Sequence, residues 1–120
     1  MAWPYKHFSR TELACPCCGT CDMDEDFLWK LEALRRELGV PMVTTSAYRC
    51  EKHEAAVGGS GANHPTGKAW DGQIRGLHPF DVMRKIMGAG FTGIGLRQHG
   101  SNRFYHLDTS HEIPTVWTYE

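Results

Sequence analysis

Long hydrophobic runs are missing from this sequence. No apolar stretch among its 120 residues approaches the roughly 20 that a membrane-spanning helix needs. The first residues, from Met1 to His7, lack the apolar core of a signal peptide. We therefore expect a protein without a signal peptide that does not insert into membranes.

An excess of charge of one sign is also missing. The 13 Lys and Arg residues nearly balance the 14 Asp and Glu residues, which gives a formal net charge of −1. A chain without a basic stripe offers little attraction to nucleic acid. Hydrophobic residues make up 41% and charged residues 22%, an ordinary globular composition. We expect a single domain over residues 1–120, monomeric and without a nucleic-acid partner.

The cysteines do not form an even set. There are five, four of them in one short N-terminal run. An odd count without a signal peptide is a poor basis for a disulfide framework. Cys18 and Cys21 have the spacing of half a zinc knuckle, and Cys50 or His53 would have to complete such a site through the fold. The candidate for a second metal site or a disulfide is therefore Cys15, Cys18, Cys21 and Cys50, and the alternative is packed or free thiols.

Hydrophobic spacing and breaker residues predict a mixed order of elements. Residues 1–21 are predicted to be an irregular, cysteine-bearing N-terminal segment. A helix is predicted from the acidic cluster around Asp24 to Leu38, where Gly39 and Pro41 end it. The remaining elements are helical turns over 51–57, a Gly-rich loop over 58–61, a helix over 79–87, and strands over 42–46, 69–74, 91–96, 103–109 and 116–119. This order predicts an α+β domain, with helices packed on a small, mostly antiparallel sheet.

Two polar clusters interrupt otherwise apolar strands. The first contains His64 and Asp71, and the second contains His106 and Asp108. Two imidazoles and a carboxylate suit zinc, and three protein ligands would leave a position open for water, as in catalytic zinc sites. His106 and Asp108 are two residues apart on a predicted strand, so their side chains share a face. For either cluster alone, a surface ion pair or a satisfied core group is the competing interpretation.

Several ordered motifs point to one family. They are His7–Cys15, Gly39–Arg49, Ala55–Gly59, a His-x-x-Gly-x-Ala-x-Asp signature at His64, Gly67, Ala69 and Asp71, Gly93-Ile94-Gly95, and Phe104–Asp108. With these motifs the sequence resembles the zinc D-Ala-D-Ala carboxypeptidases. Their fold is shared with VanX dipeptidases, phage endolysins and the hedgehog signalling domain.

The resemblance implies one catalytic Zn²⁺ ion on His64, Asp71 and His106. It also implies that Arg49, with Tyr48 beside it, lies in the cleft to bind the substrate. There a guanidinium can hold a peptide carboxylate or polarise the scissile carbonyl.

The position of the general base departs from the family pattern. Relatives often place an acidic residue three positions before the last histidine, where this chain has Arg103. Asp108 is therefore expected to be either the general base or a partner of a metal ligand. Two further departures are Ala62 in place of a serine and Glu54 in place of an asparagine.

The implied activity is hydrolysis of peptidoglycan stem or cross-link peptides near D-amino acids by metal-activated water. The enzyme would be a carboxypeptidase or an endolysin-type endopeptidase. We expect a phage or prophage lysis protein made in the bacterial cytoplasm, and the alternative is a bacterial cell-wall enzyme. One alternative is a weak or inactive zinc-stabilised domain that binds wall peptide or a protein partner. A second is a cysteine-zinc module that touches nucleic acid, which the near-neutral charge disfavours.

Overall fold

A computed structural model describes residues 3–58, 64–100 and 103–119. It confirms the predicted α+β class, with helices packed on a five-stranded sheet. The elements in chain order are α1 (Arg10–Leu13), α2 (Glu25–Leu38), β1 (Met42–Ser46), α3 (Glu51–Ala56), a short 3-10 turn (His64–Thr66), β2 (Ala69–Ile74), α4 (Pro79–Gly88), β3 (Gly93–Arg97), β4 (Phe104–Asp108) and β5 (Thr115–Thr118). Most of the predicted Gly-rich loop and Ala62 lie outside the described residues.

The N-terminal segment is not wholly irregular, and here the prediction was wrong. Helix α1 forms because Ser9 and Glu12 make a capping box. The Ser9 hydroxyl accepts a hydrogen bond from the Glu12 N–H at 3.0 Å, and the Glu12 carboxylate accepts one from the Ser9 N–H at 2.7 Å. This reciprocal pair satisfies two backbone donors that a short helix would otherwise leave unpaired. Leu13, the last residue of α1, is buried in the core.

Helix α2 begins and ends where the sequence predicts. The Asp24 carboxylate caps it by accepting a hydrogen bond from the Phe27 N–H at 2.9 Å. Phe27, Leu31 and Leu34 are buried on one face, as their helical spacing requires. Gly39 ends the helix with a φ of 70°, a conformation that costs little only for glycine.

The sheet order β1-β2-β4-β3-β5 brings the two polar clusters together. Strands β2 and β4 are antiparallel neighbours, and Asp71 lies directly opposite His106. Strand β3 pairs antiparallel with β4 on the other side. Strand β5 pairs with β3 in parallel, the one exception in a sheet expected to be mostly antiparallel. Strands β1 and β2 have the predicted bounds, and the ends of β3, β4 and β5 differ from the predicted ends by one or two residues, as is usual for such boundaries.

The core lies between the helices and one face of the sheet. Its largest fully buried side chains include Trp70, Phe27, Leu13 and Leu31. Trp70 donates a hydrogen bond from its indole nitrogen to the Thr44 hydroxyl at 2.8 Å, so its polar atom is satisfied inside the core. Within the described ranges, every helix is too short or too polar to cross a bilayer.

Candidate metal centre

His64, Asp71 and His106 converge as the sequence predicts. One ligand atom from each lies within 4.8 Å of the others. The two oxygens of Asp71 face different rings: Oδ2 lies 3.3 Å from His64 Nε2, and Oδ1 lies 2.6 Å from His106 Nδ1. The Asp71 side chain is 18% exposed, whereas both histidines are nearly buried. The carboxylate thus lies at the solvent side of the cluster. We refer to these three residues as the sheet centre.

The backbone orients His64. Its Nδ1 lies 2.6 Å from the carbonyl oxygen of Ala47, so a proton on Nδ1 leaves Nε2 free for a metal. The turn that follows requires Gly67, which has a φ of +73°. A Cβ atom at Gly67 would lie 2.3 Å from the carbonyl oxygen of Asp22. The signature glycine therefore lets the chain return tightly from His64 into β2.

The ring of His106 is held between two carboxylates. Its Nδ1 faces Asp71, and its Nε2 lies 2.7 Å from Asp108 Oδ2. Asp108 is fully buried, and its Oδ1 accepts hydrogen bonds from the Ser110 N–H at 3.1 Å and from His111 at 2.7 Å. Asp108 therefore lies behind the His106 ring, on the side away from Asp71. Ser110 and His111 were not predicted as part of this network.

Two glycines of β3 make room for the Asp108 carboxylate and for Trp117. A Cβ atom at Gly93 would lie 2.2 Å from an oxygen of Asp108, and one at Gly95 would lie 2.7 Å from the indole nitrogen of Trp117. The Trp117 ring packs against that of His106 at a tilt of 46°, with 5.2 Å between ring centroids. The Gly-x-Gly pattern noted in the sequence thus has a steric reason. Strand β3 must pass close behind the histidine and its carboxylate.

Charge is concentrated around His106. Burial raises the pKa of Asp71, but hydrogen bonds with His106 and His64 outweigh it and hold that pKa well below its usual value. Burial likewise raises the pKa of Asp108, and hydrogen bonds from His106 and His111 bring it down to about 2. Burial lowers the pKa of His106, but its bonds to Asp108 and Asp71 raise it to about 9. The two carboxylates therefore favour a positive charge at this position.

Arg49 lies at the edge of the sheet centre. Its Nη2 is 3.5 Å from Asp71 Oδ2, and its Nη1 is 2.8 Å from Glu54 Oε1. Its Nε donates to the hydroxyl of Ser46, next to a bulge at the end of β1. The departure at Glu54 is thus a buried carboxylate that pairs with the guanidinium. Tyr48 is half-buried and connects to the N-terminal segment, since its N–H donates to the carbonyl oxygen of Leu13 at 3.0 Å.

Arg103 lies away from this cluster. With Gln73, Arg75 and Tyr105 it lines a separate cavity of about 360 Å³. The residues that line this cavity do not include the sheet centre, and Arg103 supplies no carboxylate at the family's usual acidic position.

The cysteines form a second group, with one difference from the predicted set. Sulfur atoms of Cys15, Cys17, Cys18 and Cys50 lie within 4.8 Å of one another. Cys21 does not join them and packs against the hydrophobic core instead. Burial raises the pKa of Cys15, but backbone N–H groups of Cys50, Cys17 and Cys18 outweigh it and lower that pKa to about 6.

The donor set of the sheet centre fits zinc. Two imidazole nitrogens and one carboxylate match the ligands of catalytic zinc sites, and one ring nitrogen of each histidine is held by an oxygen behind it. Three ligands leave a coordination position for water or substrate. This is the pattern of a metal-dependent hydrolase.

The comparison with known families agrees. The peptidase M15 family model matches residues 6–108, a range that includes both histidines, both aspartates and Arg49. The chain therefore belongs to the peptidase M15 family, whose members are zinc peptidases and include D-Ala-D-Ala carboxypeptidases. No curated protein matches the chain. Membership makes the protein a metallopeptidase by class and leaves its substrate to be inferred.

Proposed function

We propose that this chain hydrolyses peptidoglycan stem or cross-link peptides near D-amino acids, as a carboxypeptidase or an endolysin-type endopeptidase. The observation that carries the proposal is the convergence of His64, Asp71 and His106 beside Arg49, in a chain of a zinc peptidase family. Its place of action would be the bacterial cell wall, as a phage or prophage lysis protein made in the cytoplasm. We propose a monomer that binds neither membrane nor nucleic acid.

The three ligands would hold zinc through His64 Nε2, the Asp71 carboxylate and His106 Nδ1. When bound, the ion supplies a Lewis acid and lowers the pKa of a coordinated water to about 7. The protein's own contribution is to fix the ligands. Ala47 orients the first histidine from behind and Asp108 orients the second. His64 begins the short 3-10 turn that leads to Gly67, and His106 lies on the central strand β4.

Arg49 would bind the substrate. Three of its N–H groups donate hydrogen bonds to Ser46, Glu54 and Asp71, and these contacts fix the guanidinium at the edge of the site. A guanidinium has five N–H donors, so two remain for a peptide carboxylate or a developing oxyanion. Tyr48, the preceding residue, would form part of the same substrate-binding wall.

Asp108 would act as a positioning residue. A general base must reach the proton that it removes, directly or through one water. Asp108 is fully buried, and its oxygens already accept hydrogen bonds from His106, Ser110 and His111. The contacts therefore favour the second of the two roles expected from the sequence, that of a partner of a metal ligand.

A binding domain without hydrolytic activity is the second candidate. Two observations favour it. Arg103 stands at the usual acidic position and lines a different cavity, and the Asp108 carboxylate is enclosed behind the His106 ring. Such a domain would hold zinc and wall peptide stoichiometrically and release nothing.

The test is zinc-dependent peptide release from purified peptidoglycan, with products separated and weighed by mass spectrometry. We expect release by the zinc-loaded protein, loss of release with a chelator, and recovery when zinc is restored. Synthetic stem peptides that differ only in the configuration of one residue would identify the bond. Peptide binding without any release, in protein shown to hold zinc, would support the binding domain instead.

A further inference from the structure

Four thiols lie together outside the sheet centre. Cys15, Cys17 and Cys18 come from the turn after α1, and Cys50 immediately precedes α3. The segments are far apart in sequence, and the fold brings them into contact. Cys15 is buried, Cys50 is half-buried, and the other two are exposed. We call these four residues the sulfur cluster.

The turn has the form of a metal-binding loop. The Cys15 N–H donates to the Thr20 carbonyl at 2.7 Å, and the Gly19 N–H donates to the Cys15 carbonyl at 2.8 Å. Gly19 has a φ of 74°, which a glycine adopts without strain. Within this turn, Cys15 and Cys18 have the Cys-x-x-Cys spacing of a zinc ligand pair. The sequence had directed attention to Cys18 and Cys21, which share that spacing but not that turn.

The sulfur separations fit a tetrahedral ion. Zinc–sulfur bonds of about 2.3 Å at tetrahedral angles place the sulfur atoms roughly 3.8 Å apart. The Cys50 sulfur lies 3.7 Å from that of Cys15 and 3.6 Å from that of Cys17. A disulfide needs about 2.0 Å. Two separations thus match a zinc–thiolate site, and all four sulfur atoms lie within 4.8 Å of one another.

Backbone N–H groups already point at two of the sulfurs. The Cys50 N–H donates to Cys15 Sγ at 3.5 Å, and the His53 N–H donates to Cys50 Sγ at 3.4 Å. Such contacts stabilise thiolates and orient ligands around a metal.

We propose that Cys15, Cys17, Cys18 and Cys50 bind a structural zinc ion, in addition to the ion at the sheet centre. Each thiol gives up its proton on binding, and four sulfur ligands close the coordination sphere. The ion would connect the N-terminal segment to the residue that follows Arg49. The hydrogen bond from the Tyr48 N–H to the Leu13 carbonyl joins the same two segments. The second zinc would thus fix the backbone that presents Arg49.

Metal analysis of two sets of variants tests the proposal. Zinc per chain is measured in wild type, in H64A/H106A, and in C17S/C18S, whose exposed side chains can be replaced without disturbing the core. C21S is the matched control, because Cys21 lies outside the cluster. We expect two equivalents of zinc in wild type and in C21S. One equivalent should remain in each double variant.

Cobalt identifies the ligands of the remaining ion. With Co²⁺ in place of zinc, H64A/H106A should show the intense thiolate-to-cobalt charge-transfer absorption of a four-sulfur site. C17S/C18S should lose this absorption. These readouts do not require peptidase activity, so the proposed function and the second zinc site can fail separately.

Two results would overturn the proposal. One is H64A/H106A protein, purified under reducing conditions, that stays folded and reduced yet holds no zinc and shows no cobalt–thiolate band. The other is a mass, measured without reductant, that is lower by the hydrogens lost in disulfide formation among these cysteines, together with no zinc at the cluster after reduction.

Discussion

The two groups of candidate metal ligands differ in their donor atoms, in the number of ligands and in the elements that carry them. The sheet centre combines two imidazoles with one carboxylate on or beside central strands, and the sulfur cluster places four thiols at the junction of a turn and a short helix. Three mixed ligands leave a position open, whereas four thiolates fill a tetrahedron. On the two proposals above, the sheet centre carries the chemistry and the sulfur cluster contributes stability. Variants in each should therefore change different properties.

The largest effect on activity should come from H106A. Removing this ligand eliminates one of three metal bonds, so peptide release should fall to background and one zinc equivalent should be lost. The sulfur cluster should keep its ion. If H106A retained its activity, the sheet centre would not be the site of catalysis.

D108N should have the next largest effect. An amide in place of the buried carboxylate weakens the hold on His106, and loss of such a partner typically lowers metal affinity or activity by about 10- to 100-fold. Zinc affinity, measured by competition with a chelating dye, separates a positioning role from a general base. A base alone would leave zinc affinity unchanged and lower kcat. H111Q, which alters one donor to the same carboxylate, serves as the milder control.

C17S/C18S should change stability more than chemistry. A ligand present at 100 times its Kd stabilises the folded state by about 2.7 kcal/mol. Thermal unfolding in free zinc should show a loss of this order, and activity should fall less than in D108N because the three ligands of the sheet centre are intact. A loss of activity equal to that of H106A would contradict the division of roles.

E32Q should leave both centres loaded and activity unchanged. The buried Glu32 carboxylate accepts hydrogen bonds from the His7 N–H at 2.8 Å and from Arg36 at 2.9 Å. Because the Arg36 side chain left behind is 56% exposed, losing these hydrogen bonds should cost roughly 1.5 kcal/mol of unfolding free energy. Denaturant unfolding with parallel zinc analysis checks this. A loss of zinc in E32Q would show that metal content reports general destabilisation.

The Glu32 carboxylate also predicts how the stability of the folded state changes at acidic pH. Burial raises the pKa of Glu32, but hydrogen bonds with His7 and Arg36 outweigh it and place that pKa below its ordinary value of 4.5. Its stabilising contribution is therefore present above that value and is lost as the pH falls through the lower folded-state pKa. Urea unfolding across this acidic range should show a steeper loss in wild type than in E32Q. If the unfolding free energy fell equally steeply with pH in both proteins, Glu32 would not be the source of the acid dependence.

Local patterns were enough to predict much of the fold, and the family resemblance was needed to predict the three residues of the sheet centre. Helix α2 was predictable because its cap, its buried stripe and its terminal glycine act within one segment. The signature around His64 and the His-x-Asp motif at His106 each lie within one short segment, so both could be found in the sequence. The parallel pairing of β5 with β3 was not, because it depends on how distant segments meet.

What could not be predicted depends on tertiary contacts. The sulfur cluster contains Cys17 where the predicted set had Cys21. The difference follows from the turn in which the Cys15 N–H donates to the Thr20 carbonyl, because the Cys-x-x-Cys spacing alone fits Cys18 equally well with Cys15 and with Cys21. The place of Asp108 behind His106 requires the ring orientation that Asp71 sets across the sheet. Helix α1 was missed for a different reason, since its Ser-x-x-Glu signal was present in the sequence.

The most direct test measures zinc content and peptide release on the same preparations of wild type and H106A. The account predicts zinc-dependent release by wild type, and in H106A the loss of both that release and the zinc at the sheet centre. An H106A protein that keeps its full zinc content, or that still releases peptide, would contradict it.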